Sequence, residues 1–368
     1  MRILALSPYH GGSHRDFLDG WRAHSRHAFE VAALPARHWK WRMRHAAWTL
    51  AEQTADRAGF DAVFATDMLD VTGWRAHAAP ALRALPLVLY MHENQLVYPD
   101  PHRGERDHHF GLTNVFSAAA ADQVWWNSAW HREVFFEAAG ELLQRMPDHA
   151  PRSALERARQ RSRIEPPGHG IGPTPRRPRS GPPHLLWAAR WERDKAPADL
   201  FAALGTLMDR GVDFRVSVLG KAGATEPAEL AAGRAALGPR VHAWGYLPRD
   251  EYEQALAGAD LVVSTARHEF FGIAMVEAVA AGAFPIAPRR LAYPEVLAGF
   301  DPDGFYDGSP AGLAERLAEA CAEVETGTLW GADPGRGQRA VAHLSWTRRA
   351  AAMDAQLERL ISGPGTSS

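Results

Sequence analysis

The chain has a single cysteine, Cys321, so no internal disulfide can form, and a reducing compartment fits it. No stretch approaches the roughly 18 apolar residues of a membrane span. The apolar run that opens the chain ends at Ser7-Pro8, too soon for a secretory leader. These absences predict a cytoplasmic protein that makes no use of a membrane. Zinc-type cysteine and histidine spacing is missing, as is any repeat of the solenoid kind. So is G-x-G-x-x-G, the usual dinucleotide fingerprint. Net charge is only −2, so overall charge demands no polyanionic acceptor, although the basic excess of the first half permits one there. Nothing in the pattern announces an obligate protein partner.

What is present is a globular composition, 46% hydrophobic and 23% charged, in a chain of 368 residues, more than one ordinary core holds. Two domains are expected. Lys and Arg outnumber Asp and Glu up to Arg179, and the balance reverses after it. Strand and helix signals alternate twice over, the pattern of two doubly wound α/β domains.

In the first half, residues 2–7 read as a strand and Pro8-Tyr9-His10-Gly11-Gly12-Ser13-His14 as a turn into a helix over 15–24. A phosphate or sugar can approach the backbone at Gly11 and Gly12. A second strand, 29–34, runs into Pro35-Ala36-Arg37-His38-Trp39-Lys40-Trp41-Arg42-Met43-Arg44-His45. Cations interleaved with indoles suit nucleic acid, because Arg and Lys neutralise phosphates while Trp stacks on unpaired bases. The same residues also read as an amphipathic helix with tryptophans packed inward and arginines solvated. Strands 60–65 and 85–91 follow, the latter ending at His92-Glu93-Asn94-Gln95. Ligands of open parallel sheets bind beyond the carboxyl ends of strands, so His92 is positioned for chemistry. Residues 103–111 read as an acceptor loop or as solvated polar chain. A strand at 121–126, a helix at 129–139, an arginine-rich helix at 145–163 and a Pro/Gly/Arg stretch at 165–183 close this half.

The second half restarts with a strand at 184–188, followed by Arg190 and Lys195, which can neutralise a diphosphate as a fork and a point charge. A strand at 213–219 ends in Gly220, and one at 241–244 ends in Gly245-Tyr246, where the backbone can receive a nucleotide base. A strand at 259–263 and a helix at 273–281 bracket Phe271-Gly272-Ile273, whose N–H groups would lie free at a helix start for a phosphate. Two carboxylates flank that site. Glu277, one turn into the helix, can reach a ribose, and Glu269, before the turn, faces the reacting sugar. A last helix, about 345–360, follows.

The E-x7-E frame of Glu269 and Glu277 around Phe271-Gly272, the Arg190-x4-Lys195 pair, Gly245-Tyr246 and Leu344-Ser345-Trp346 resemble the family 4 glycosyltransferases. That resemblance implies the GT-B fold, two doubly wound Rossmann-like α/β domains facing a central cleft. Its parts here would be 1–168, a linker at 169–183, a nucleotide-sugar domain at 184–343 and a helix at 344–362 returning to the first domain. Tyr9 to His14, Leu34 to Arg42, Tyr90-Met91-His92-Glu93-Asn94-Gln95-Leu96-Val97-Tyr98-Pro99 and Met146-Pro147-Asp148-His149 resemble the tRNA-queuosine α-mannosyltransferases.

This second resemblance implies retaining transfer of mannose from GDP-mannose to queuosine in the anticodon of tRNA-Asp, by front-face attack, without metal or other cofactor. It would make His92, Glu269, Arg190 and Lys195 catalytic. Gly11, Gly12, Gly220, Gly245, Tyr246, Phe271, Gly272, Ile273 and Glu277 would join Arg190 and Lys195 in holding the donor. His14, Arg37, Trp39, Lys40, Trp41, Arg42, Glu93, Asn94 and Gln95 would meet the tRNA. The same scaffold could serve another tRNA, a small molecule or a lipid carrier as acceptor. A different class, a silent tRNA-binding protein, keeps the fold and loses the chemistry.

Overall fold

Short apolar runs such as Leu87–Met91 and Leu261–Val263 are buried along their whole length, as parallel strands covered on both faces must be. The structure, a computed structural model, describes residues 1–99, 107–172, 181–221, 227–331, 333 and 335–363. Residues 103–106 of the acceptor-loop reading and residues 173–180 of the connecting stretch lie outside the described residues. The chain divides into two units, Met1–Gly168 with the chain from Trp346 onward, and His169–Ser345.

The first unit runs β1 (Arg2–His10), α1 (Ser13–His24), β2 (Ala28–Pro35), α2 (Trp39–Gln53), β3 (Ala62–Thr66), α3 (Val71–His77), α4 (Pro80–Arg83), β4 (Leu87–Met91), α5 (His108–Ala120), β5 (Gln123–Trp126), α6 (Ala129–Gln144), α7 (Arg152–Gln160) and β6 (Ser162–Ile164). The second unit runs β7 (His184–Ala188), α8 (Pro197–Asp209), β8 (Arg215–Leu219), α9 (Ala228–Leu237), β9 (Val241–Gly245), α10 (Arg249–Ala257), β10 (Leu261–Val263), α11 (Ile273–Ala281), β11 (Phe284–Pro288), α12 (Tyr293–Val296), β12 (Phe305–Tyr306), α13 (Pro310–Thr326) and α14 (Arg336–Val341). The last helix, α15 (Trp346–Ser362), belongs to the first unit.

Among the described residues each unit has a six-stranded sheet, ordered β2-β1-β3-β4-β5-β6 and β12-β11-β10-β7-β8-β9. All the pairings are parallel. Chain direction of travel reverses between β1 and β3 in the first sheet and between β7 and β10 in the second. At such a reversal the flanking loops part and leave a crevice beyond the strand ends, which fixes where each unit can hold a ligand.

Strand alternation builds the first unit's core in two layers. Leu4 and Leu6 face one side with Leu89, Trp126 and Phe135, while Ile3 and Ala5 face the other with Phe64, Tyr90 and Trp125. The second layer is closed by Phe17 and Trp21 of α1 and by Trp346, Met353 and Leu357 of α15. Asp354 of α15 is buried and accepts from the Trp21 indole at 2.8 Å, the Ser25 hydroxyl at 2.7 Å and the Arg26 N–H at 2.9 Å. Gly20 and Gly168 lie against the Trp346 ring so closely that a Cβ would meet it at 2.2 and 2.4 Å.

Two expectations are corrected. Residues 145–163 are not one helix: α7 is shorter, and Ser162–Ile164 forms β6, paired to Val124, Trp125 and Trp126 of β5. Residues 169–172, counted with the connecting stretch, belong to the second unit, where His169 N–H donates to the Leu344 carbonyl at 2.8 Å.

The second unit carries a built-in acid sensitivity. His184, at the start of β7, is buried with Nδ1 2.9 Å from the Gly258 carbonyl and Nε2 2.8 Å from the Ser217 hydroxyl. Burial pushes it from 6.5 to about 4, and burial with the Lys195 charge does the same to His268. Between those values the unfolded chain binds more protons than the folded one, so stability rises with pH and is lost on acidification. The thermal midpoint should therefore fall by several degrees from about pH 7 to about pH 4.5. In His184→Asn the fall should be shallower; equal slopes for the two proteins would refute the assignment.

Candidate active site

In the second unit, the chain leaving β10 turns at Gly272 (φ 89°) into α11, which stops at Gly282 (φ 110°). Gly272 is also needed for space, since a Cβ there would meet Tyr293 at 2.7 Å. Glu269 stands before this turn. Its Oε1 accepts from the N–H groups of Phe270 at 3.1 Å and Phe271 at 3.3 Å, and its Oε2 from Lys195 Nζ at 3.2 Å. The Phe271 N–H is therefore not free for a phosphate: the carboxylate two residues upstream takes it, and the Phe271 ring is buried in the core. Gly272 and Ile273 keep their place at the helix start, where N–H groups have no intrahelical acceptor.

Lys195 reaches this point from the loop after β7. It is only 7% exposed, donates to the His268 carbonyl at 2.7 Å and lies 3.2 Å from Asp194 Oδ2. Burial lowers its pKa, but Glu269 and Asp194 together outweigh that, and the ammonium ends above its ordinary value. For Glu269 burial works upward, and Lys195 with the Phe271 N–H brings it below the ordinary carboxylate value. Both are charged at neutral pH. The structure thus joins two residues 74 apart in sequence, across the β7/β10 reversal.

Arg190, on the same loop, is exposed, with Nη1 3.5 Å from Glu192. Glu277 is held from α10 by Arg249 Nη1 at 3.0 Å and the Tyr252 hydroxyl at 3.1 Å. Burial and Glu277 raise that phenol well above its usual value, so it stays a donor. Gly220 is explained by packing, because a Cβ would lie 1.9 Å from the Ala189 carbonyl. Gly245 has φ 96° and Tyr246 beside it is 72% exposed.

The first unit's crevice is lined from β1, β3, β4 and β5. Gly12 (φ 52°) starts α1, and Gly11 packs so near Ala36 that a Cβ would lie 2.5 Å from its methyl. His92 follows β4, its ring 4.2 Å from that of His14 and 4.6 Å from that of Tyr90. Its Nε2 is buried without a hydrogen-bond partner among the described residues. Burial, then His14 and His131, hold His92 well below the usual imidazole value, so it is neutral. Asp67 after β3 lies 3.7 Å from His14 Nδ1 and accepts the Glu93 N–H at 2.7 Å; burial and the Glu93 carboxylate push it well above the carboxylate range.

Several acceptor expectations change here. His14 is buried beside His92 rather than offered to a macromolecule. Asn94 is fully buried, and its Oδ1 accepts from the N–H groups of Leu96 and Val97, which shapes the turn. Arg42 is 8% exposed and donates to the Pro35 carbonyl at 3.1 Å. Trp39 is half-buried, packed on Met43, Met68 and Phe110. Arg37, Lys40 and Trp41 are exposed, and Glu93 and Gln95 are half-buried with Gln95 Nε2 donating to Glu93 Oε1. Asp67, Asn127 and His131 were not singled out. Asn127 bridges the His92 carbonyl and His131 Nδ1, at 2.9 and 2.8 Å, and both it and Asp67 directly follow a strand, the signal that could have found them.

The family model described as tRNA-queuosine alpha-mannosyltransferase N-terminal matches residues 2–168, and the one described as glycosyl transferases group 1 matches residues 175–328. The tRNA-queuosine alpha-mannosyltransferase of Drosophila melanogaster is 33% identical over 334 residues, 87% of this chain and 86% of the relative. The chain belongs to the tRNA-queuosine alpha-mannosyltransferase family. It is a glycosyltransferase, and its two parallel-sheet units are those of the GT-B fold. Sucrose-phosphate synthase from Thermosynechococcus elongatus superposes with a TM-score of 0.72 at 16% identity, covering 98% of this chain and 100% of that one. Anabaena HepE in complex with UDP and glucose gives 0.67 at 17% identity, over 97% and 99%. Among the described residues of this mannosyltransferase family member no helix is long and apolar enough to cross a membrane. Nor do three His, Cys, Asp or Glu side chains gather as a metal site would require.

Proposed function

We propose that the chain transfers mannose from GDP-mannose, with retention, to queuosine in the anticodon of tRNA-Asp in the cytoplasm. The observation that carries this is the 33% identity across 87% of the chain to an enzyme whose name states both the sugar and the acceptor. In this reading the bond from the acceptor oxygen to the sugar C1 forms as the bond from C1 to the β-phosphate oxygen breaks. The electron pair leaves on GDP, and the acceptor proton passes to the departing phosphate on the same face.

Arg190 and Lys195 neutralise that leaving charge, and no metal is assigned a part. A fixed cation aimed where charge develops needs no reorganisation at the moment of reaction. Lys195 answers that description, held in place by Glu269 and the His268 carbonyl before any donor arrives. Glu269 binds hydroxyls of the donor sugar, Glu277 the ribose, and the start of α11 at Gly272 and Ile273 the diphosphate. Tyr246 and Gly245 receive the base. Neutral His92, with its open Nε2, orients a sugar or acceptor hydroxyl.

The test is mass spectrometry of the nucleosides after incubating the purified protein with GDP-mannose and queuosine-containing tRNA-Asp. Queuosine should gain one hexose, and tRNA lacking queuosine should gain none. Hexose transfer to other queuosine-containing tRNAs at the same rate would remove the aspartate specificity. Transfer from another nucleotide sugar in preference would replace the donor.

A further inference from the structure

Once Trp39 and Arg42 are seen to turn inward, the outward stripe of α2 consists of Trp41, Arg44 and Trp48, with Lys40 beside it, all exposed. Trp41 lies three residues before Arg44 and Trp48 four after it, so the three share one face. The two indoles are 61% and 60% exposed, about 10 Å apart along the axis. Two large aromatics left in water on one helix face mark a surface that meets something.

Each indole is braced. Trp41 stacks on His45 with ring centres 4.9 Å apart and planes 28° from parallel, and Trp48 lies 4.5 Å from His77 of α3. From beneath, the buried Arg42 Nη1 donates to His45 Nε2 at 2.8 Å, while His45 Nδ1 meets the Thr49 hydroxyl at 2.9 Å. Burial, then Arg42, lowers the His45 pKa, so the ring under Trp41 is neutral and fixed. Arg44, three residues after Trp41 and four before Trp48, holds its guanidinium 4.8 Å over the Phe110 ring.

We propose that this face is the platform for the acceptor's single-stranded RNA, with bases stacked on Trp41 and Trp48 and phosphates paired by Arg44 and Lys40. The proposal rests on the reading that the acceptor is a tRNA and adds where and how its loop is gripped. Aromatic faces alternating with cations are the design of single-strand binders, because every base has a face to stack and every nucleotide a phosphate to neutralise. A membrane-seeking helix would present a continuous apolar face; here a cation divides two isolated indoles, with no Leu or Phe in the stripe.

The experiment measures KM for queuosine-tRNA in Trp41→Ala/Trp48→Ala and in Trp41→Phe/Trp48→Phe, with thermal melts to establish folding. The alanine pair should raise KM at least ~10-fold with the loss in KM rather than kcat, and the phenylalanine pair should stay within ~3-fold. Arg44→Ala should reduce the salt slope of tRNA binding by about one. A tRNA KM unmoved in the alanine pair, with the wild type still transferring hexose, overturns the platform and leaves the proposed reaction standing. A wild type that neither binds nor modifies tRNA overturns both. Binding of phosphatidylserine vesicles that depends on Trp41 and Trp48, with tRNA KM unaffected, replaces the RNA with a lipid surface.

Discussion

Lys195→Ala is expected to lower kcat by roughly 10²–10³-fold, the cost of removing one preorganised charge-stabilising group. The same change uncovers Asp194 and Glu269, which lie 3.2 Å from the ammonium, so it should also cost about 3–5 kcal/mol of stability. A domain holds about 5–15 kcal/mol, so the variant stays mostly folded at room temperature and its turnover can be read. The two losses separate in a cycle with Glu269→Gln. Removing the second charge should restore part of the melting temperature, because fewer carboxylates are left bare. Activity should not recover with it. Turnover of Lys195→Ala within a few-fold of wild type, or a double variant that regains activity along with stability, would remove Lys195 from the reaction and leave it a structural cation.

The other large effect concerns the far end of the chain. Deleting residues 346–368 should leave the first unit unable to fold, though the changed residues lie more than 200 positions from the strands they cover. Trp346, Met353 and Leu357 close the layer over Trp21, Phe64 and Trp125. Burying three such side chains contributes about 5–9 kcal/mol, comparable with a domain's whole stability. Asp354 adds hydrogen bonds to Trp21, Ser25 and Arg26, and without it the buried Trp21 indole has lost its acceptor. Limited proteolysis of the truncated protein should digest the first unit and spare the second. A cooperatively melting, protease-resistant first unit would show that α15 only decorates it.

The parts of this architecture that could be read in advance are those whose signals are local. Ile273–Ala281 has in the structure the bounds its punctuation predicts, with Gly272 and Gly282 around it. His184–Ala188 likewise matches its apolar run. β6 could not be seen, since three residues become a strand only by pairing with β5. The helices at His108–Ala120, Ala228–Leu237 and Pro310–Thr326 also went unread. At the site, Glu269 and Lys195 were visible as types in a spacing, but their contact is not, because the sheet order brings β7 beside β10. In α2 both indoles and cations occur on both faces, so sequence alone could not say that Trp39 packs inward while Trp41 does not. That decision is made by Met68, in the turn after β3, and Phe110 of α5.

The return of α15 to the first unit also sets an order of events during synthesis. Domains ordinarily fold from the amino end as they leave the ribosome. Here Trp21 must wait 333 residues for Asp354, so the amino-terminal sheet emerges with one face covered by α1 alone while the whole of His169–Ser345 is being made. The inserted unit has its full core first. The nascent chain therefore exposes Phe17, Trp21 and Tyr90 until its final turns are translated, and in the cell this protein should lean on chaperones that hold an unfinished amino-terminal half.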